Sequence, residues 1–223
     1  MNDDELWAAI DAQRTLTVKL LRDLTPAEWD HASLCHGWRV RDVAAHLTMQ
    51  EMTLRDGLKA LLRHPGGINH VIHAAAVSEA NRRPPEQLIA EINGTIGSRS
   101  FNVGVTPRET LLDIIVHGQD MAIPLRRQLE VPAKAAAFTA TQLWTYQSSR
   151  KGRWMARVFR PVPFRSYRLI ATDTEWSVGE GPEIRGPILA IVLLLSGRAA
   201  GFADLTGPGA AALGAALGLT RST

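Results

Sequence analysis

Cysteine is nearly missing from this sequence: Cys35 is the only one in 223 residues. No disulfide can close within the chain, and nothing points to an oxidising compartment. Long apolar runs are missing too. The strongest, from Ile188 to Leu195, falls far short of the roughly 20 residues that span a bilayer, so it reads as a buried helix and no membrane role is expected. The acidic start MNDDELWAAI has neither the basic opening nor the apolar core of a secretory signal, which leaves the cytoplasm as the default compartment. Charge of one sign is not concentrated anywhere. The net charge is +3, and the arginine-rich stretch from Arg150 to Arg168 is interrupted by apolar residues, so a nucleic-acid partner is not expected. No repeat of solenoid length is visible.

What is present is ordinary globular material, 45% hydrophobic and 21% charged, in a chain long enough for a large domain with a small second one. Leu6, Ile10, Leu16, Leu20 and Leu24 predict a helix over residues 4–24, and TPAE at 25–28 reads as a capping box that opens a short helical turn. Beyond CHGW, the stripe Val43, Leu47, Leu54, Leu58 and Leu61 predicts one long helix to about His64, stopped by Pro65, Gly66 and Gly67. Further helices are expected over about 69–80, from Pro84 and Pro85 to NGTIGS, from TPRE at 106–109 to Pro124, and from Pro132 to about Ser148. After Arg150 the texture changes: SYRLIATD and EWSVG read as strands, followed by apolar helices near 187–197 and 208–217. The expected fold is mainly α, a helical bundle over 1–150 followed by a small α+β domain over 151–223.

One helix is peculiar. In LLDIIVHGQDM, residues 111–121, Asp113, His117 and Asp120 fall within an arc of about 60° while apolar residues fill most of the remaining circumference. Two readings are open: a narrow solvent stripe, or a face that holds a ligand. The arc contains no lysine or arginine, and a carboxylate and an imidazole at i and i+4 face one point and can share a metal ion. His46, beside Gln50 on the preceding long helix, is a candidate third ligand. Asp42, one turn before it, could orient its ring or simply favour the helix N-terminus. Asp120, one turn beyond His117, could accept from that ring's far nitrogen. Cys35 is read as structural within CHGW, and His70 and His73 as surface residues. Arg198, in the SGR that ends the apolar helix, could meet a substrate carboxylate or only complement the helix dipole.

LCHGWRVRDVAAHL (34–47) together with LLDIIVHGQDMAIPL (111–125) resembles the mycothiol-dependent maleylpyruvate isomerase family, part of the DinB-like metalloenzymes. YRLIATDTEWSVGEGPEIRGP and LLLSGR resemble that family's small, sterol-carrier-like C-terminal domain. The resemblance implies a DinB-like four-helix bundle that binds a divalent metal, usually zinc, through His46, Asp113 and His117. It also implies mycothiol as cofactor, a small-molecule substrate, and an arginine such as Arg198 near a substrate carboxylate. The family carries glutamate at the acidic position, so Asp113 is a departure, one methylene shorter. A metal-held thiol is deprotonated. Its addition to a conjugated cis-enoyl diacid would make the double bond rotatable, and elimination would release the trans isomer; with a leaving group on the electrophile the same site would transfer the thiol. The rivals are a metal-dependent hydrolase and a non-catalytic protein that holds an apolar ligand in its C-terminal part.

Overall fold

The computed structural model describes residues 1–102, 105–148 and 164–218; the part of the arginine-rich stretch between Arg150 and residue 163 lies outside them. Its contacts divide into two units, Met1–Glu130 and Val131–Thr223.

Among the described residues of the first unit the regular elements are helices, with a single antiparallel bridge between Ala32 and Arg39. Helix α1 spans Asp3–Arg22, and Asn2 and Glu5 cap its start reciprocally. The short α2, Pro26–Trp29, begins with the Thr25–Glu28 box expected from TPAE. Helices α3 (Val40–Leu47), α4 (Leu54–Arg63), α5 (Ile68–Arg82) and α6 (Pro85–Gly94) come next. Helix α7, Pro107–Ala122, is launched by Thr106, whose backbone N–H donates to Glu109 at 2.7 Å. Helix α7 packs on α1 and α3, and α3 packs in turn on α5 and α6. Ile10, Val18 and Leu21 of α1, Val43 and Leu47 of α3, and Leu111, Ile114, Ile115 and Met121 of α7 are all buried, each such side chain contributing about 1.5–3 kcal/mol by leaving water. Residue 118 of α7 is glycine, and a Cβ there would meet Leu129 Cδ2 at 2.5 Å, so the Leu129 side chain would have to shift.

The long helix expected from Val43 to His64 is in fact two. Tight hydrogen bonds from Met49 N to His46 O and from Gln50 N to Leu47 O end α3, Asn102 Oδ1 accepts from Met52 N at 2.6 Å, and Thr53 starts α4 afresh with a box to Asp56. The apolar spacing carried across the break because two helices in succession can share one period. The break matters to the site, since it turns Gln50 back toward α7.

In the second unit, α8 (Ala133–Ser148) packs against α9 (Ile188–Leu195). Ala135, Ala136, Ala140 and Leu143 of α8 and nearly every residue of α9 are buried. The division therefore falls one helix earlier than the change of texture near 150 suggests: α8 is tied to the C-terminal elements. A three-stranded sheet lies between in sequence, with β1 (Arg168–Ala171) central, antiparallel to β2 (Ser177–Val178) and parallel to β3 (Glu183–Gly186). The last helix, α10 (Pro208–Leu217), packs on β3. Gly209 permits that contact, because a Cβ would meet the Pro182 carbonyl at 2.5 Å and the Glu183 carbonyl at 2.8 Å. Backbone cannot yield as a side-chain tip can, so Gly209→Ala is expected to destabilise this unit by about 1–3 kcal/mol. Urea unfolding of the full chain measures this, and an unchanged midpoint would contradict the contact. No helix among the described residues is long and apolar enough to cross a membrane.

Candidate metal centre

Helix α3 buries Val43, Ala44 and Leu47, which leaves His46 on the edge of its apolar face, turned toward α7. Helix α7 presents Asp113 and His117 one turn apart on its own facing side. The two elements bring the three side chains together. Asp113 Oδ1 lies 3.3 Å from His46 Nε2 and 3.3 Å from His117 Nε2, and donor atoms of all three residues lie within 4.8 Å of one another. The other carboxylate oxygen, Oδ2, accepts from Gln50 Nε2 at 2.8 Å. The arc on α7 is therefore not a solvent stripe: the Asp113 and His117 side chains are 29% and 16% exposed, and that of Asp120 is 0%.

The rings are held differently. His117 Nδ1 bonds Asp120 Oδ2 at 2.8 Å, which points Nε2 at Asp113. His46 Nδ1 is buried with no hydrogen-bond partner among the described residues, and packing fixes this ring instead: its centroid is 5.5 Å from Trp38, edge to face, and 4.8 Å from His117. Trp38 also lies parallel to His117, within 5° at 6.4 Å, and meets His73 of α5 edge-on at 5.6 Å.

Asp42 does not support His46. Its two oxygens accept from Arg39 N, Nε and Nη2 at 2.8 to 3.0 Å, because a side chain in the first turn of a helix leans toward the N-terminus and reaches back to the cap. Of the two roles open to it in the sequence, it has the helix-start role. Arg198 belongs to the C-terminal unit. There its backbone N–H bonds Leu193 O at 2.8 Å and its guanidinium donates to Ser196 O at 2.6 Å, at the end of α9.

In the sequence Cys35 reads as structural, Gln50 only as a neighbour of His46, and Trp38 is given no role. CHGW forms a tight turn in which Trp38 N bonds Cys35 O at 3.0 Å and Gly37 has φ +77°, a conformation that costs glycine little. Leu34 N bonds Asp120 O at 3.0 Å, tying the turn to α7. The turn thereby delivers Cys35 Sγ to within 3.0 Å of Asp120 Oδ2 and 3.7 Å of His117 Nδ1. The signal was the turn chemistry of CHGW itself, which places the residues on either side of a glycine close together.

Burial pushes the Asp113 carboxyl up, but the adjoining imidazoles of His46 and His117 outweigh it and hold the group well below the usual carboxylate range. Burial likewise pushes His117 down. Asp113, and hydrogen bonds to Asp113, Asp120 and Cys35, reverse this and lift it well above an ordinary histidine. Without a cation the centre thus keeps a proton on His117 between carboxylates. Two ring nitrogens can approach one carboxylate oxygen only if protons or a cation lie between them, so the donor set fits a divalent ion. The proton and the ion compete. The raised His117 stabilises the cation-free fold fully below the ordinary histidine range of about 6.5 and less as pH climbs through its raised value, whereas the depressed Asp113 contributes above about 4 and is lost at lower pH. Cation affinity should run the other way from His117, rising with pH, and uptake at neutral pH should release about one proton per ion. Calorimetric titration in two buffers of different ionisation heat measures this; identical heats would contradict it.

Residues 10–100, fewer than half of the chain, match the model of the mycothiol maleylpyruvate isomerase N-terminal domain. The match includes His46 and ends before Asp113 and His117. Among solved structures, the crystal structure of the mycothiol-dependent maleylpyruvate isomerase aligns over 94% of each chain with a TM-score of 0.57 at 15% identity. The crystal structure of a histidine-to-alanine mutant of that isomerase aligns over 94% of each chain with a TM-score of 0.56 at 14% identity. Comparison with curated proteins gives no match. The fold, mainly helical with a small C-terminal sheet, is that of the isomerase, in agreement with the resemblance carried by residues 34–47 and 111–125.

Proposed function

We propose that this chain is a divalent-metal-dependent enzyme that activates a low-molecular-weight thiol, mycothiol or a close analogue, for isomerisation of a small electrophile or for thiol transfer to it. The observation that carries the reading is the convergence of His46 Nε2, Asp113 Oδ1 and His117 Nε2, on a fold shared with a mycothiol-dependent isomerase.

Two imidazoles and one carboxylate are a donor set suited to zinc with a position left open. A divalent ion held there supplies the positive charge that lowers a thiol's pKa and favours thiolate at neutral pH. The chain's own residues set up that charge. Asp113 is the only anionic member of the three, and Gln50 occupies its second oxygen, so Oδ1 stays turned to the rings. Asp120 keeps the His117 proton on Nδ1, which leaves Nε2 as the donor atom. Trp38 covers the rings and limits access of water. Cys35, engaged with Asp120, is not the nucleophile in this reading, so the reacting sulfur comes from outside. Arg198 is the candidate for recognising a substrate carboxylate through paired N–H···O bonds. Asp113, shorter than the family's glutamate, bears on the choice of metal and substrate.

The test is turnover of maleylpyruvate and of a panel of electrophiles by metal-loaded protein with mycothiol, with other small thiols and with none. Thiol-dependent turnover supports the proposal. Equal rates in all arms would replace it with the hydrolase reading.

A further inference from the structure

The Cys35 thiol has no part in the chemistry proposed above, yet several contacts of the fold serve to place it. Ser33 Oγ accepts from Cys35 N at 3.1 Å and donates to Trp38 O at 2.9 Å, and Leu34 N is bonded to Asp120 O, so the sulfur's position is set by the turn rather than by a mobile side chain. The S–H donates to Asp120 Oδ2 at 3.0 Å, the same oxygen that accepts from His117 Nδ1 at 2.8 Å. That carboxylate is wholly buried. A buried carboxylate is costly unless its hydrogen bonds are met, and its orientation follows its donors.

We propose that Cys35 is a positioning residue of the metal centre: through the chain Cys35 Sγ–H, Asp120 Oδ2 and His117 Nδ1–H, it fixes the carboxylate that orients the His117 ring. This rests on the reading of His46, Asp113 and His117 as metal ligands. The thiol has two opposed effects on the ring. By sharing Oδ2 it draws some of the carboxylate's charge away from Nδ1–H, which lowers the basicity of Nε2. By pinning Asp120 it keeps the ring in the plane where Nε2 faces Asp113. The second effect is the larger, because a misdirected ligand loses its bond to the ion, whereas a small change in basicity only weakens it. The same turn places Trp38 over the face of His117, so a four-residue segment controls the ring both in its plane and across its face. Cys35, His117 and Asp120 also bring donor atoms within 4.8 Å of one another, and the test must tell a positioning thiol from a ligand.

The experiment is cobalt(II) binding by the full chain and by Cys35→Ala, Cys35→Ser and His117→Ala, with affinity read by chelator competition, coordination by the visible and near-ultraviolet spectrum, and folding by circular dichroism. Wild-type protein should bind one cobalt ion with no thiolate-to-cobalt charge-transfer band. Cys35→Ala should bind about tenfold more weakly, at the lower edge of the range for residues that support a ligand, with shifted visible bands. Cys35→Ser, which keeps a donor, should recover both. Unchanged affinity and spectrum in Cys35→Ala, or a serine variant as weak as the alanine one, overturns the proposal. So does a charge-transfer band in wild type that Cys35→Ala abolishes, since that would make Cys35 a ligand. If wild type binds no cobalt, or binds it as His117→Ala does, the metal centre itself is refuted and this inference falls with it.

Discussion

Replacing His117 with alanine is expected to abolish thiol-dependent turnover and to weaken divalent-metal binding by more than about 100-fold, beyond the 10- to 100-fold loss typical of residues that only support a ligand. His117 is the hinge of the centre: Nε2 faces Asp113 and Nδ1 faces Asp120, so one ring connects Asp113 Oδ1 to the buried carboxylate. Its loss removes a donor atom and also leaves Asp113 and Asp120 without the imidazole that offsets their charge. Asp120→Asn gives the comparison. It keeps the ring and substitutes a weaker acceptor, so its affinity loss should stay inside the 10- to 100-fold range. Equilibrium dialysis with metal analysis measures both. If the two variants lose affinity equally, or if His117→Ala keeps its metal, the ligand assignment is wrong.

The second large effect concerns stability. Arg14 is fully buried; its guanidinium donates to the Thr95 carbonyl and lies 3.4 Å from Glu51 Oε1. Burial lowers its pKa, opposed by the charges of Glu51 and Asp11. Arg14→Ala would leave a cavity beside α1 and remove one of the two donors to the Thr95 carbonyl, the other being Ser98 N at 3.0 Å, at a combined loss of about 3 kcal/mol. Glu51 is partly exposed and can turn to water, which keeps the loss below that of a fully buried ion pair broken in half. For a chain of this size the melting temperature should fall by roughly 6–12 °C. Arg14→Met, which keeps the stem's packing, should recover part of it. Because Glu51 adjoins Gln50, the residue that holds Asp113, metal affinity should also fall modestly. A melting temperature within about 2 °C of wild type would show that Arg14 contributes little to the fold.

Arg14 illustrates what periodicity does and does not reveal. It stands one helical turn after Ile10, within the apolar stripe of α1, so its position could be read as buried, but nothing in the spacing says what would satisfy a charge there. The helix starts at Thr25 and Thr106 were legible because a capping box is a local device, closed within four residues. The same device at Thr53 is hidden inside an apolar stripe whose seven-residue step from Leu47 to Leu54 still keeps the helical period, and with it the turn that brings Gln50 to Asp113. His46, Asp113 and His117 could be named as candidates because i and i+4 on one helix fix a shared face and His46 sits beside the apolar stripe of another, a set that the family resemblance also implies. For Asp42 spacing alone leaves two roles open, beside His46 or at the helix start, and the direction of its Cα–Cβ bond decides for the second by sending it back to Arg39. The pairing of Cys35 with Asp120 links residues 85 apart in sequence, and only the fold discloses it.

His46, Asp113 and His117 are proposed to hold one divalent ion with a position open to an external thiol. X-ray absorption at the zinc edge of the zinc-loaded protein, before and after addition of mycothiol, tests it most directly. The expected result is one zinc per chain, surrounded only by nitrogen and oxygen scatterers before the thiol is added, with one sulfur scatterer appearing after it. Failure to retain zinc, a sulfur scatterer already present before the thiol, or a nitrogen and oxygen shell that the thiol leaves unchanged would contradict it.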